Sequence, residues 1–193
     1  MKRFAKFIWN LCGWTFIGDL DRSIKKFVMI MAPHTSNWDF VWGRLGLWMM
    51  GIKVQFLIKK EFFVFPVKGI LKSMGGVPVD RGNKKNDMVK QVCRMFKEND
   101  EFGIMITPEG TRSYNKVWKK GFYKIAMEAN VPVAITFLDY KKKQGGILEA
   151  FYMTGDYEKD MAKIESFYLD KTAKYPEKFN LSPMHREQNK SNR

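Results

Sequence analysis

Residues 25–42, "KKFVMIMAPHTSNWDFVW", pass from two lysines through a short apolar run to a proline, a histidine, small polar residues and an aspartate. The run over 27–31 stops just short of Pro33, and the residue before a proline is biased away from helical geometry, so it reads as a strand. His34 follows in a loop. A helix is expected over 37–50, because Ser36 or Asn37 can cap it, and the S-x-x-D relation of Ser36 to Asp39 resembles a capping box with aspartate in place of glutamate.

The same alternation extends outward from this unit. Apolar runs at 54–58, 77–79, 102–106, 131–138 and 147–153 read as strands. Helices are expected over 86–98, where Met88, Val92, Met95 and Phe96 form an apolar stripe, over 119–129 and over 158–175. Strands alternating with helices predict an α/β fold: a single domain with a mostly parallel or mixed central sheet flanked by helices. The pattern leaves strand order open. We divide the chain into an amphipathic membrane-interface or packing segment (1–24), a main α/β domain (25–175) and a polar C-terminal segment (176–193) that either docks or frays.

A chain of 193 residues suits one domain, and 45% hydrophobic residues supply enough apolar surface for a core, which excludes a disordered chain. Its net charge of +14 favours an anionic partner: nucleic acid, a phosphorylated metabolite, an acidic carrier protein or anionic lipid. No stretch reaches the roughly 18 consecutive apolar residues of a spanning helix. The opening "MKRFAKFIWNLCGWTFIGDL" resembles a leader at first sight. Asn10 and Gly13 interrupt it and no small-x-small cleavage site follows, so it is expected to be retained. Phe4, Phe7, Ile8, Leu11 and Trp14 recur at helical spacing beside Lys2, Arg3 and Lys6, which suits a helix in a membrane interface or one packed on the domain. Cys12 and Cys93 make neither a disulfide scaffold nor, with one central histidine, a zinc pattern; no metal is expected, and a reducing cytoplasmic setting is.

His34 and Asp39 stand five positions apart, about 140° around an ideal helix, so they meet only if a loop leads into the helix N-terminus. There, aspartate can hold one imidazole nitrogen and leave the other as a base toward a hydroxyl. A capped helix beside an incidental loop histidine is the plainer alternative. A second concentration of polar groups, "TPEGTR" at 107–112, follows another apolar strand. Pro108 and Gly110 suit a sharp turn, and Glu109 and Arg112 carry opposite charges, which also fits a surface turn with a salt bridge. His185, in "SPMHRE", has no comparable partner pattern and reads as a surface or packing residue.

Together the two motifs resemble the glycerolipid acyltransferase family, which includes the 1-acyl-glycerol-3-phosphate (lysophosphatidic acid) acyltransferases. The family's H-x4-D signature is matched by "HTSNWD" (His34 to Asp39) and its P-E-G-T-R signature by "PEGTR" (Pro108 to Arg112). Between them "GGVPVDR" (Gly75 to Arg81) is similar to the glycine, hydrophobic and arginine block, with valine-proline where many members have phenylalanine and isoleucine. Downstream, "VPVAI" (Val131 to Ile135) resembles the fourth block, and the likeness covers roughly residues 25–140.

This resemblance implies transfer of a fatty acyl group from an acyl thioester, acyl-CoA or acyl-acyl carrier protein, to a hydroxyl, with no tightly bound cofactor. His34 would be the general base and Asp39 its orienting carboxylate, with direct attack and no serine or cysteine nucleophile. Arg81 and Arg112 would grip an acidic headgroup. Glu109 would bind the acceptor hydroxyl or hold Arg112, and Gly110 and Thr111 would shape the turn. The implied acceptor is a phosphorylated or otherwise acidic lyso-lipid, with lysophosphatidic acid foremost. The implied partners are membrane lipids and an acyl carrier protein, at the cytoplasmic face of a membrane. Two alternatives compete: a basic nucleic-acid-binding module, which lacks any recognised binding signature here, and an inactive lipid-associated scaffold, against which the intact His34, Asp39, Glu109 and Arg112 argue.

Overall fold

The computed structural model describes residues 1–79 and 85–181. In chain order its first elements are α1 (Lys2–Leu11), β1 (Thr15–Ile17), β2 (Lys26–Ala32), α2 (Asn37–Met50), β3 (Gln55–Lys59), α3 (Val67–Ser73) and β4 (Gly76–Val79). There follow α4 (Lys85–Glu98), β5 (Phe102–Ile106), α5 (Gly121–Ala129), β6 (Val133–Asp139), β7 (Gln144–Phe151) and α6 (Tyr157–Ser166). The strands form one mixed sheet in the order β1-β7-β6-β2-β5-β3-β4, in which the β6–β7 hairpin is the antiparallel pairing.

β2 lies at the middle of this sheet, and its apolar sequence follows from that position. A parallel strand covered on both faces needs apolar side chains in both directions. Val28, Ile30 and Ala32 enter the core shared with Val92 and Phe96 of α4, Phe122 and Ile125 of α5, and Ile164 of α6. Phe27, Met29 and Met31 enter the opposite core with Ala5 and Trp9 of α1 and Leu45 and Leu47 of α2. Helices thus cover both faces, as the alternation of runs predicts.

The N-terminal segment divides its surface. Ala5 and Trp9 are buried, and Trp9 stands edge-on to Trp14 and Trp42, so α1 is packed on the domain. Phe4, Phe7 and Leu11, from the expected apolar stripe, remain exposed. After α1 the chain adds β1, which the sequence pattern did not suggest, to the edge of the sheet. Gly146 is needed there, because a Cβ at that position would lie 1.9 Å from the Ile17 carbonyl oxygen.

The helix expected over 158–175 ends at Ser166. Tyr168 turns inward instead, its ring fully buried against Trp118 and its hydroxyl donating to the Thr136 carbonyl at 3.0 Å. The chain then crosses back over the β2 loop: Tyr140 N–H donates to the Thr172 carbonyl at 2.9 Å, and Tyr175 N–H to Thr35 Oγ1 at 3.2 Å. Beyond it Phe179 and Leu181 are buried and Trp118 Nε1–H donates to the Asn180 carbonyl at 2.9 Å, so the polar segment docks as far as residue 181.

β6, β2 and β5 are adjacent and parallel, with Ala32 opposite Phe137 and Ile30 opposite Ile106. Their carboxyl ends therefore reach one edge of the sheet. His34, Glu109 and Tyr140 each lie two or three residues past those register points, and the three loops converge.

Candidate active site

Asp39 is the centre of the convergence. It occupies the third position of α2, where the expected capping box is present: Ser36 caps the helix through its side chain, and Ser36 N–H donates back to Asp39 Oδ2 at 2.8 Å. Thr35 N–H reaches the same oxygen at 2.7 Å, and the Tyr140 hydroxyl donates to Oδ1 at 2.6 Å. The carboxylate is fully buried. Burial alone would push its acidity down, but His34, the Tyr140 hydroxyl and the two amides outweigh it and hold the carboxyl below the usual aspartate range.

His34 stands beside this carboxylate. Its Nδ1 lies 3.3 Å from Asp39 Oδ2, a close contact off the line of an ideal hydrogen bond, and its side chain keeps 17% of its exposure. The loop reaches this position because its backbone is tied on both sides. Asp39 takes the amides of residues 35 and 36, and Glu109 Oε1 takes the His34 N–H at 2.8 Å. A buried carboxylate against an imidazole that still meets solvent is an arrangement able to accept a proton from a hydroxyl.

Among the described residues Glu109 is not paired with Arg112, the salt bridge that its charge suits, and its side chain is buried behind His34 rather than set in the mouth. Oε2 has no hydrogen-bond partner among the described residues. Burial, helped by the charge of Asp39 and opposed by the amides of Glu109 and His34, pushes the carboxyl up to about 8. Near neutral pH it is therefore largely a neutral acid.

Glu109 sits in a tight turn after β5. Gly110 has φ of +66°, its N–H donates to the Thr107 carbonyl at 3.0 Å, and Asn115 Nδ2 braces the Glu109 carbonyl at 2.9 Å. Thr111 Oγ1 accepts from Ser113 N–H at 3.2 Å, which continues the turn. Arg112 is exposed beside it. Arg81 and His185 lie outside the described residues.

Two neighbours escaped the sequence reading. Tyr140 bonds directly to Asp39, and Lys174 Nζ lies 5.1 Å from the Trp38 ring and 5.8 Å from that of Tyr140, on the segment that crosses the loop. Each becomes visible only when strand order places residue 140 beside residue 39. Among the described residues no group of three or more His, Cys, Asp or Glu side chains is placed to hold a metal ion, and no helix is long and apolar enough to cross a membrane.

The fold is an α/β sheet with a histidine–aspartate pair at its carboxyl edge, and comparison with known proteins makes the class particular. Residues 17–136 match the family described as Acyltransferase, which covers more than half of the chain and spans both His34 and Glu109. The chain belongs to this acyltransferase family, and acyl transfer is its general chemistry. The fold is similar to that of the 1-acyl-sn-glycerophosphate (LPA) acyltransferase of Thermotoga maritima, with a TM-score of 0.60 at 18% identity over 86% of this chain and 74% of that one. No curated protein matches the chain in sequence.

Proposed function

We propose that the protein transfers a fatty acyl group from a thioester, acyl-CoA or acyl-acyl carrier protein, to a hydroxyl of a phosphorylated or otherwise acidic lyso-lipid, with lysophosphatidic acid as the leading acceptor. The observation that carries this reading is the partly exposed His34 ring, 3.3 Å from the fully buried Asp39 carboxylate, in a chain of the acyltransferase family.

Asp39 fixes the imidazole with Nδ1–H toward it and supports the positive charge that develops on the ring. The other nitrogen, Nε2, takes the proton of the acceptor hydroxyl as its oxygen forms a bond to the thioester carbonyl carbon. The tetrahedral adduct collapses with cleavage of the carbon–sulfur bond, and the imidazolium returns its proton to the departing sulfur. Ester and free thiol result, and His34 is neutral again. No covalent enzyme intermediate is formed.

Asp39 and His34 are thus the catalytic pair. Glu109 acts as a positioning residue through the His34 amide, and Gly110 and Thr111 shape its turn. Arg112, exposed beside that turn, and Arg81 are assigned to the acidic headgroup, where a guanidinium makes paired hydrogen bonds to phosphate oxygens. The exposed Phe4, Phe7 and Leu11 of α1, with Lys2, Arg3 and Lys6 on the same helix, support peripheral contact with an anionic membrane.

The test is labelled acyl transfer by purified protein in lipid vesicles, from both thioester donors to a panel of lyso-lipids. We expect a labelled lipid that disappears with a folded His34→Ala variant. Full transfer by that variant would remove His34 from the chemistry.

A further inference from the structure

We infer that the segment over 62–67 is a second lipid-contact point, separate from α1, which seats the carboxyl edge of the sheet on an anionic bilayer. Phe62 is 61% exposed, Val64 58%, Phe65 96% and Val67 41%. Four large apolar side chains within six residues in water form the kind of patch that marks a contact surface. Phe65, almost wholly exposed, projects as a wedge rather than lining a groove, and a wedge fits a fluid acyl layer.

Charge supports the same occupant. Between Lys59 and Ser73 the chain carries four lysines and one acidic residue, Glu61. Lys60, Lys68 and Lys72 are exposed around the apolar cluster. Aromatic rings bordered by lysines suit the boundary between headgroups and acyl chains, where anionic lipid holds the cations.

Topology supplies the direction. The segment leaves the carboxyl end of β3, which runs parallel to β5 and β4, so it emerges at the edge where His34 and Glu109 lie. α1 approaches that edge from the other flank: β1 and β4 are the two ends of the strand order, and Trp14, just after α1, contacts the Tyr140 ring at 5.2 Å. Exposed Phe65 therefore lies on one flank of the central β2 loop and exposed Leu11, at the C-terminal end of α1, on the other, and a bilayer touching both faces the edge that carries His34. Such a seat serves the lipid-acceptor reading above, and it is measured below without turnover, so that either can fail alone.

The probe is an environment-sensitive fluorophore on Phe65→Cys in a Cys12→Ser background, Cys93 being buried. Asp100→Cys, in the loop that enters β5 at the opposite edge of the sheet, is the control. With phosphatidylcholine vesicles containing phosphatidylglycerol, the label at position 65 should brighten, shift to the blue and be quenched by brominated acyl chains, while the label at position 100 should not. The Phe62→Ser/Phe65→Ser variant, with α1 intact, should lose about tenfold or more in partitioning to the same vesicles. A label at 65 that stays aqueous on vesicle-bound protein, a double variant that partitions like the parent, or a parent that ignores vesicles would each overturn the seat. Parent-like partitioning with lost binding to an acidic carrier protein would reassign the patch to that protein.

Discussion

Replacing Glu109 by glutamine converts its buried carboxyl into a group that cannot ionise, and the consequence is a change in how stability depends on pH. The folded chain holds the Glu109 proton up to about 8, because burial disfavours the charge, whereas the unfolded chain releases it near 4.5. Folding therefore takes up a proton across this window, and this group makes the protein less stable as pH rises through it. The full effect is about 5 kcal/mol, of which roughly 3–4 kcal/mol falls between about pH 5 and about pH 8. The introduced amide keeps an oxygen for the His34 N–H but places an NH2 where Oε2 has no described partner, a roughly constant cost of about 1–2 kcal/mol. The informative quantity is thus the slope rather than the absolute stability. Urea unfolding followed by tryptophan fluorescence at several pH values gives it directly. The parent should lose stability toward alkaline pH relative to Glu109→Gln, and the two curves should flatten apart above the folded value. Parallel curves across the window would refute a proton-holding Glu109.

Three further outcomes test neighbouring parts of the site. Tyr140→Phe removes the 2.6 Å hydrogen bond to Asp39 and should cost about 1–2 kcal/mol of stability and roughly tenfold in kcat; parent-like values for both would take the phenol out of the site. Gly110→Ala places a Cβ on a backbone at φ +66° and against the Lys119 side chain, and should destabilise by about 1 kcal/mol in thermal unfolding. Arg112→Ala, at an exposed position, should leave stability within about 0.5 kcal/mol while raising KM roughly tenfold for a phosphorylated acceptor and not for a neutral one; equal effects on both acceptors would deny it the phosphate.

The carboxyl edge was legible wherever the information is local. Ser36 and Asp39 write their capping box into four residues, and a strand that stops at Pro33 puts His34 in a loop. The apolar run of β2 announces a strand buried on both faces. What stayed hidden depends on neighbours far along the chain. Tyr140 looks like any residue after a strand until β6 is known to flank β2. Glu109 carries a charge suited to Arg112, and only the depth of the turn shows that it faces the His34 amide instead. α6 ends early for the same kind of reason: residues 167–175 retain helical composition, but the burial of Tyr168 and the return across Thr35 outweigh local propensity. The family resemblance was legible from two short motifs, and the match over residues 17–136 agrees with it.

The crossing of three loops at one edge has a temporal side. The His34–Glu109 bond closes a separation of 75 residues, the Asp39–Tyr140 bond one of 101, and the Thr35–Tyr175 bond one of 140. Such distant closures are reached late, after the entropy of bringing the ends together has been met. On a ribosome, His34 and Asp39 would emerge early and wait without their supports until residue 140 and then residue 175 followed. Residues 34 and 39 thus gain these supports only once the last strands and the segment through residue 175 are in place.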